Sequence, residues 1–297
     1  MSETPWVTKA VIPVGGMGTR FLPATKALPK EMLPLVDRPV IQFVVEEAVD
    51  AGLTDVLFVT GRNKNALENH FDRSTEVENL LESRGDETRL SEVMKATSLA
   101  NIHYVRQGDA LGLGHAVLKS RQHVSNEPFV VLLGDDVMDT KDELLKNMLD
   151  AYREYNATII ALIEVEPDQI HLYGCAEVET TSDAQLVRIK NLVEKPKSGT
   201  APSNLAIIGR YVLKPEIFDV LENTKPGAGG EIQLTDALKE LSQDESIAGP
   251  VFGFIYKGKR YDTGDKLGYI QANIEMALER SDIGPALKQW LKQFGGG

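Results

Sequence analysis

The chain has 297 residues, of which 42% are apolar and 26% charged, and a formal net charge of -12. That length suits one large α/β domain with an excursion or two closely joined units, and the balance of apolar and charged residues excludes a disordered chain. The negative charge opposes nucleic acid and anionic membrane surfaces, so any bound polyanion needs a local basic cluster.

Short β-branched runs alternate with helical patterns through the first half, which predicts βαβ units and a largely parallel sheet. A strand is expected over 7–14, a helix over 39–51 with Gly52 as its C-cap, and a strand over 55–60. The polar, acidic stretch 63–99 reads as a helical insertion with sparse apolar positions at Leu67, Phe71, Leu80, Leu81, Leu90 and Met94. A strand at 102–105, a helix over 112–123 and a wholly apolar strand at 129–133 resume the alternation, and a helix over 142–155 leads into a strand at 158–165. After Gly174 the order changes to consecutive strands at 176–179, 186–193 and 205–213, expected to pair antiparallel on the same sheet or in a small subdomain. Helices at 216–222 and 233–241, a strand at 251–256, and helices over 266–279 and 285–293 complete the chain. The expectation is an α/β fold with a mixed, mainly parallel sheet flanked by helices. It is read as a single domain over 5–294, with C-terminal helices within 266–293 and a frayed tail at 295–297.

The single cysteine, Cys175, has no partner for an intramolecular disulfide, and the opening M-S-E-T-P-W-V-T-K lacks a basic and then apolar leader. The apolar runs at 129–133 and 159–163 fall far short of the roughly 20 residues a membrane span requires. These features predict a cytoplasmic protein with no membrane partner.

Directly after the first strand stand Gly15, Gly16, Met17, Gly18, Thr19 and Arg20. Glycines at a strand end let backbone N–H groups approach phosphate oxygens, although a tight turn alone would also use them. A Walker A loop requires Gly-Lys-Ser/Thr, which does not follow, and a dinucleotide fingerprint would need glycine where Phe21 stands. Arg20, Lys26 and Lys30 then fall within eleven residues on a proline-bearing strap read as ordered and non-helical. Such a cluster can grip a triphosphate, Arg20 through two oxygens and Lys30 as a point charge; the alternative is solvated surface charge. Carboxylates follow the buried strand at Asp135 and Asp136, and another stands at Asp262. One or two carboxylates with substrate phosphates form the usual magnesium arrangement, and spacing does not separate Asp135 from Asp136. None of the five histidines has metal-ligand spacing, and Cys175 has no basic cluster to activate it.

The segment G-G-M-G-T-R-F-L-P-A-T-K-A-L-P-K-E-M-L-P-L closely resembles the N-terminal signature of the sugar-1-phosphate nucleotidylyltransferases, and the resemblance continues over nearly the whole chain. Within that superfamily, Thr25 to Leu35, R-Q-G-D-A-L-G-L-G-H-A-V from Arg106 and G-E-I-Q-L-T-D-A from Gly230 are similar to the bacterial UTP:glucose-1-phosphate uridylyltransferases. The resemblance implies a Rossmann-like nucleotide-diphospho-sugar transferase fold and magnesium-assisted formation of UDP-glucose and pyrophosphate from UTP and glucose 1-phosphate. It implies that Gly15, Gly16, Gly18, Thr19 and Lys26 hold the nucleotide, that Gln107 and the backbone at Gly112 read uracil, and that Asp135 and Asp262 bind Mg2+. It further implies that Gly174, Glu194 and Asn204 hold the sugar, that Lys195 holds its phosphate, and that the protein is a homodimer or homotetramer. His115 is expected beside the base site without a chemical role. Two alternatives remain open at this stage, a glucose-1-phosphate thymidylyltransferase and a non-catalytic nucleotide-sugar-binding regulator.

Overall fold

The computed structural model describes residues 5–294, so the expected tail at 295–297 lies outside the described residues. Strand β1 (Lys9–Val14) is followed by three single turns of 3-10 helix at Thr19–Phe21, Ala24–Lys26 and Lys30–Met32. The strap was expected to be non-helical. Its prolines do prevent a continuous α-helix, but they leave room for isolated i to i+3 turns between them. A short ribbon of β2 (Pro34–Leu35) and β3 (Arg38–Pro39) precedes α1 (Val40–Asp50) and β4 (Asp55–Thr60).

The insertion is helical as expected, comprising α2 (Asn65–His70), α3 (Thr75–Ser83) and α4 (Glu87–Thr97), the last capped by Asp86 accepting from the Arg89 N–H at 3.2 Å. After β5 (Asn101–Arg106), the single helix expected over 112–123 is two pieces, α5 (Leu113–Leu118) and α6 (Arg121–Val124). The break falls at buried Ser120, whose hydroxyl donates to the Val117 carbonyl at 2.6 Å and competes with helix continuation. Then come β6 (Phe129–Leu132), β7 (Asp136–Met138), α7 (Leu144–Tyr155) and β8 (Thr158–Glu164). The later half holds β9 (Gly174–Thr180), β10 (Leu186–Glu194), β11 (Leu205–Leu213), α8 (Ile217–Asn223), α9 (Leu234–Gln243) and α10 (Glu245–Ala248). Strands β12 (Val251–Tyr256) and β13 (Arg260–Asp262) and helices α11 (Lys266–Glu279) and α12 (Gly284–Phe294) end the described chain.

Nine strands form one sheet among the described residues, in the order β5-β4-β1-β6-β11-β8-β12-β10-β9. The β5-β4-β1-β6 portion is parallel, whereas β11 runs antiparallel to both β6 and β8. The late strands therefore join the same sheet rather than a separate subdomain. Strand β9 also meets β11 through Cys175 and Ala206, so the far end of the sheet turns back toward the middle.

Side chains alternate between two apolar layers, as the two-residue period of a strand requires. In β1, Ala10, Ile12 and Val14 pack with Ile41, Val44, Leu145 and Met148 from α1 and α7. Val11 points the other way, into the layer made with Val117, Phe218 and Leu238 from α5, α8 and α9. Buried on both faces, the sheet presents its carboxyl edge to solvent, and the loops that leave β1, β4, β5 and β6 all emerge there. The β7–β13 ribbon and α11 roof part of that edge, with Val137 and Ala272 packed on Leu35 and Val40. No described helix is long and apolar enough to cross a membrane.

Candidate active site

The loops at the carboxyl edge enclose a cleft of about 380 Å³ lined by Gly18, Thr19, Arg20, Lys30, Asp135, Lys195 and Asp262. Lys30 reaches it from the third turn of the strap and ion-pairs with the Asp135 carboxylate. Burial acts to lower the Lys30 pKa, but the charges of Asp135, Glu31 and Asp262 outweigh it and hold the ammonium above its ordinary value. Burial would likewise raise Asp135, yet the Lys30 charge and hydrogen bond, with Arg260 behind them, keep this carboxyl below the usual range. Arg20 is exposed at the rim and donates to the Gly264 carbonyl at 3.4 Å.

Asp262 ends β13 and accepts from the Gly264 N–H at 3.0 Å. Burial, together with the charges of Asp136 and Asp135, raises its pKa against the opposing effect of Arg260. Gly264 is where the two candidate metal ligands converge. A Cβ there would stand 2.6 Å from Asp135 Oδ2 and 3.1 Å from Asp262 Oδ1, so only glycine leaves the space between the carboxylates open. Two oxygen ligands facing one such space, beside a phosphate-sized cleft, fit a hard divalent cation that takes its other ligands from substrate and water.

Asp136, inseparable from Asp135 by spacing, has a different environment. It is buried, and its Oδ1 accepts from Arg260 Nε at 2.8 Å while its Oδ2 accepts from the Gly209 N–H at 2.9 Å. Both oxygens are engaged in joining β7 to β13 and β11. Both aspartates border the cleft, but Asp136 has both oxygens bound to protein, whereas Asp135 faces Lys30 and the space at Gly264.

The base-side candidates gather around the glycine loop. Gln107, just past β5, is buried with its amide oxygen over Gly15. Its Nε2 donates to the Gly112 carbonyl at 3.1 Å and lies 3.2 Å from His115 Nδ1. The donor half of the amide is thus held within the protein, and His115 orients it. Gly112 has a φ of 109° and packs so tightly that a Cβ would stand 2.7 Å from the Ile232 carbonyl. This contact joins the loop after β5 to the G-E-I-Q-L segment. Gly16, Thr19 and Lys26 line an adjoining cavity of about 260 Å³ with Asn63 and Lys64.

On the other wall, Gly174 pairs in register with Glu194 at the ends of β9 and β10. Thr235 donates to Glu194 Oε2 at 2.7 Å, and Lys195 Nζ lies 3.5 Å from Glu194 Oε1. Lys195 has a φ of 45°, and this left-handed turn swings its side chain out of the β10 line toward the cleft. Of these candidates Lys195 lines the cleft, whereas Gly174, Glu194 and Asn204 stand outside its lining. Asn204 lies just before β11, and its carbonyl accepts from the Val165 N–H at 3.0 Å.

Several residues at the site escaped the sequence reading. Lys64 is buried, donates to the Gly16 carbonyl at 2.9 Å and ion-pairs with Glu31 at 2.7 Å, which braces the glycine loop from behind. Its signal was position: it follows β4 at the carboxyl edge, where a long polar stretch concealed it. Tyr173 and Arg260 line the cleft, 3.5 Å apart from hydroxyl to Nη1. Arg260 stood in sequence beside Asp262, but nothing local tied it to Asp136.

The profile of the Nucleotidyl transferase family matches residues 9–279. A UTP–glucose-1-phosphate uridylyltransferase of Staphylococcus haemolyticus is 48% identical over 289 residues, 97% of this chain and 99% of the relative. The crystal structure of a UDP-glucose pyrophosphorylase complexed with UDP-glucose aligns with a TM-score of 0.83 and 43% identity, covering 92% of this chain and 100% of that one. A UTP-bound UGPase from Acinetobacter baumannii aligns with a TM-score of 0.88 and 39% identity, covering 96% and 98%.

Proposed function

Because this chain belongs to the nucleotidyl transferase family, we propose that it transfers UMP from UTP to glucose 1-phosphate, forming UDP-glucose and pyrophosphate. The observation that carries this reading is the convergence of Arg20, Lys30, Asp135, Lys195 and Asp262 from four distant stretches of chain on one cleft. Near full-length similarity to uridylyltransferases favours uracil over thymine as the base, and the presence together of Arg20, Lys30, Asp135, Lys195 and Asp262 in the cleft disfavours a non-catalytic regulator.

The nucleophile is a phosphate monoester, mostly doubly ionised above about pH 6, so attack on the α-phosphorus of UTP requires no strong general base. What the reaction requires is shielding of two anions, in-line alignment and neutralisation of charge on the departing pyrophosphate. Arg20 at the rim and Lys30 at the floor hold the triphosphate, and Lys195 on the facing wall holds the sugar phosphate. Glu194, fixed by Thr235, accepts from glucose hydroxyls beside Gly174. Asn204, just before β11, is the further candidate for the sugar on this side. The Gly15 to Thr19 backbone and Lys26 flank the nucleotide, while Gln107 offers its amide oxygen to the uracil N3–H. Asp135 and Asp262 hold Mg2+, which when bound supplies charge neutralisation at the α-phosphate.

Residues 5–294 act as one catalytic unit in the cytoplasm. The exposed Leu267, Ile270, Ile274 and Ile283 on and between the last two helices suit contact between copies in a homodimer or homotetramer. The deciding experiment measures pyrophosphate release with glucose 1-phosphate and UTP, dTTP, ATP, CTP or GTP, with and without magnesium. Strong magnesium-dependent release with UTP is expected. A preference for dTTP would overturn the base assignment, and no release with any nucleotide would favour the regulator.

A further inference from the structure

At the amino edge of the sheet, opposite the cleft, three side chains far apart in sequence come together. Asp55 opens β4, His103 is the third residue of the neighbouring β5, and His123 lies in α6. His123 Nε2 is 2.8 Å from Asp55 Oδ1, and His103 Nε2 is 3.7 Å from the same oxygen. One ligand atom from each of the three lies within 4.8 Å of the others, and the two imidazole centroids are 4.8 Å apart. The local spacing of the histidines gave no metal pattern, because parallel pairing of β4 with β5 and the return of α6 beneath them create it.

We propose that Asp55, His103 and His123 form a binding site for a divalent transition-metal ion, best suited to zinc, that ties β4, β5 and α6 together. Two imidazole nitrogens and one carboxylate oxygen are a borderline donor set that suits zinc, whereas magnesium prefers oxygen ligands throughout. Tetrahedral zinc with ligands at about 2.0–2.1 Å needs donor atoms roughly 3.3 Å apart, and the two nitrogen-to-oxygen separations bracket that value. His103 keeps 52% of its side chain exposed, so an ion has access and water can take the fourth position. The scaffold around His123 is fixed. Lys9 Nζ donates to the carbonyls of His123 at 3.2 Å and Val124 at 3.4 Å and pairs with Glu127 at 3.2 Å, which pins the end of α6 to β1. The ion binds the folded arrangement and stabilises it by mass action, with no direct effect on the cleft at the other edge.

The test titrates the full chain with zinc against a chromophoric chelator and, separately, with cobalt while recording its visible absorption. Wild type, His103→Gln, His123→Ala and the double variant are compared. The expected result is one zinc equivalent at micromolar affinity or tighter that weakens at least tenfold in either single variant. Intense tetrahedral cobalt bands should appear in wild type and be absent from the double variant, with magnesium-dependent turnover unchanged in all four proteins. Zinc held only by the cleft carboxylates would bind wild type and double variant alike, and that equality would overturn the site. Absence of cobalt bands and of micromolar zinc binding in wild type would leave the three residues as an ordinary hydrogen-bonded ion network and would overturn it as well.

Discussion

Lys30 and Asp135 pair at the floor of the cleft with 22% and 24% of their side chains exposed, whereas Lys64 and Glu31, behind the same glycine loop, keep only 4% and 1%. The contrast extends through the region. On the cleft side, Arg20, Lys30, Lys195, Asp135 and Asp262 border open space. In the layer beneath, Arg210 spans Glu47 at 2.6 and 2.9 Å and also donates to backbone carbonyls, and at the cleft wall Arg260 is already taken up by Asp136. Residue type does not distinguish the two sets. What separates them is whether the hydrogen-bonding capacity is already filled by protein, which makes a charge a brace, or still faces a space where substrate can enter.

Substitutions on either side of this divide should fail in different ways. The largest expected effect is at Asp135→Asn, which should lower kcat by about three orders of magnitude, or roughly 4 kcal/mol of barrier, with little change in the urea midpoint. Near-normal turnover at saturating magnesium would move Asp135 out of the catalytic set. Its neighbour tests the other side. Asp136→Ala removes a buried carboxylate, leaving Arg260 only Asp262 at 3.6 Å as a charged partner and the Gly209 N–H without its acceptor, and should lower unfolding stability by about 3 kcal/mol, read from urea denaturation. If instead it folded with unchanged stability and lost only turnover, the distinction between the two aspartates would collapse. The smallest effect is expected at Lys195→Ala, where steady-state kinetics should show the KM for glucose 1-phosphate rising roughly tenfold, about 1.4 kcal/mol, with less change for UTP. Equal changes for both substrates would place Lys195 at the triphosphate instead.

Much of the architecture was legible because it rests on local periodicity. The strands at 55–60, 205–213 and 251–256 and the helix at 266–279 appear at the bounds expected from their apolar patterns. The helix expected over 112–123 was misjudged because Ser120 breaks it through one hydroxyl bond, which an apolar pattern cannot register. In the strap, the cations and glycines were visible, but its succession of 3-10 turns was not. The buried braces were harder still. Lys64 sits 33 residues from Glu31, and Arg210 sits 163 from Glu47, so no local pattern links the partners.

Local residues set the order of the longer strands and helices, the placement of glycines and cations after the first strand, and the family resemblance, whereas the short β2–β3 and β7–β13 ribbons were not legible from them. Only the tertiary structure decided which of Asp135 and Asp136 has both oxygens taken up by protein. It also decided that Gln107 is held by His115 and Gly112, that Lys195 but not Gly174, Glu194 or Asn204 lines the cleft, and that Asp55, His103 and His123 meet. The physical reason is common to all four: each depends on which way a side chain points once strands from distant parts of the chain have been brought into register.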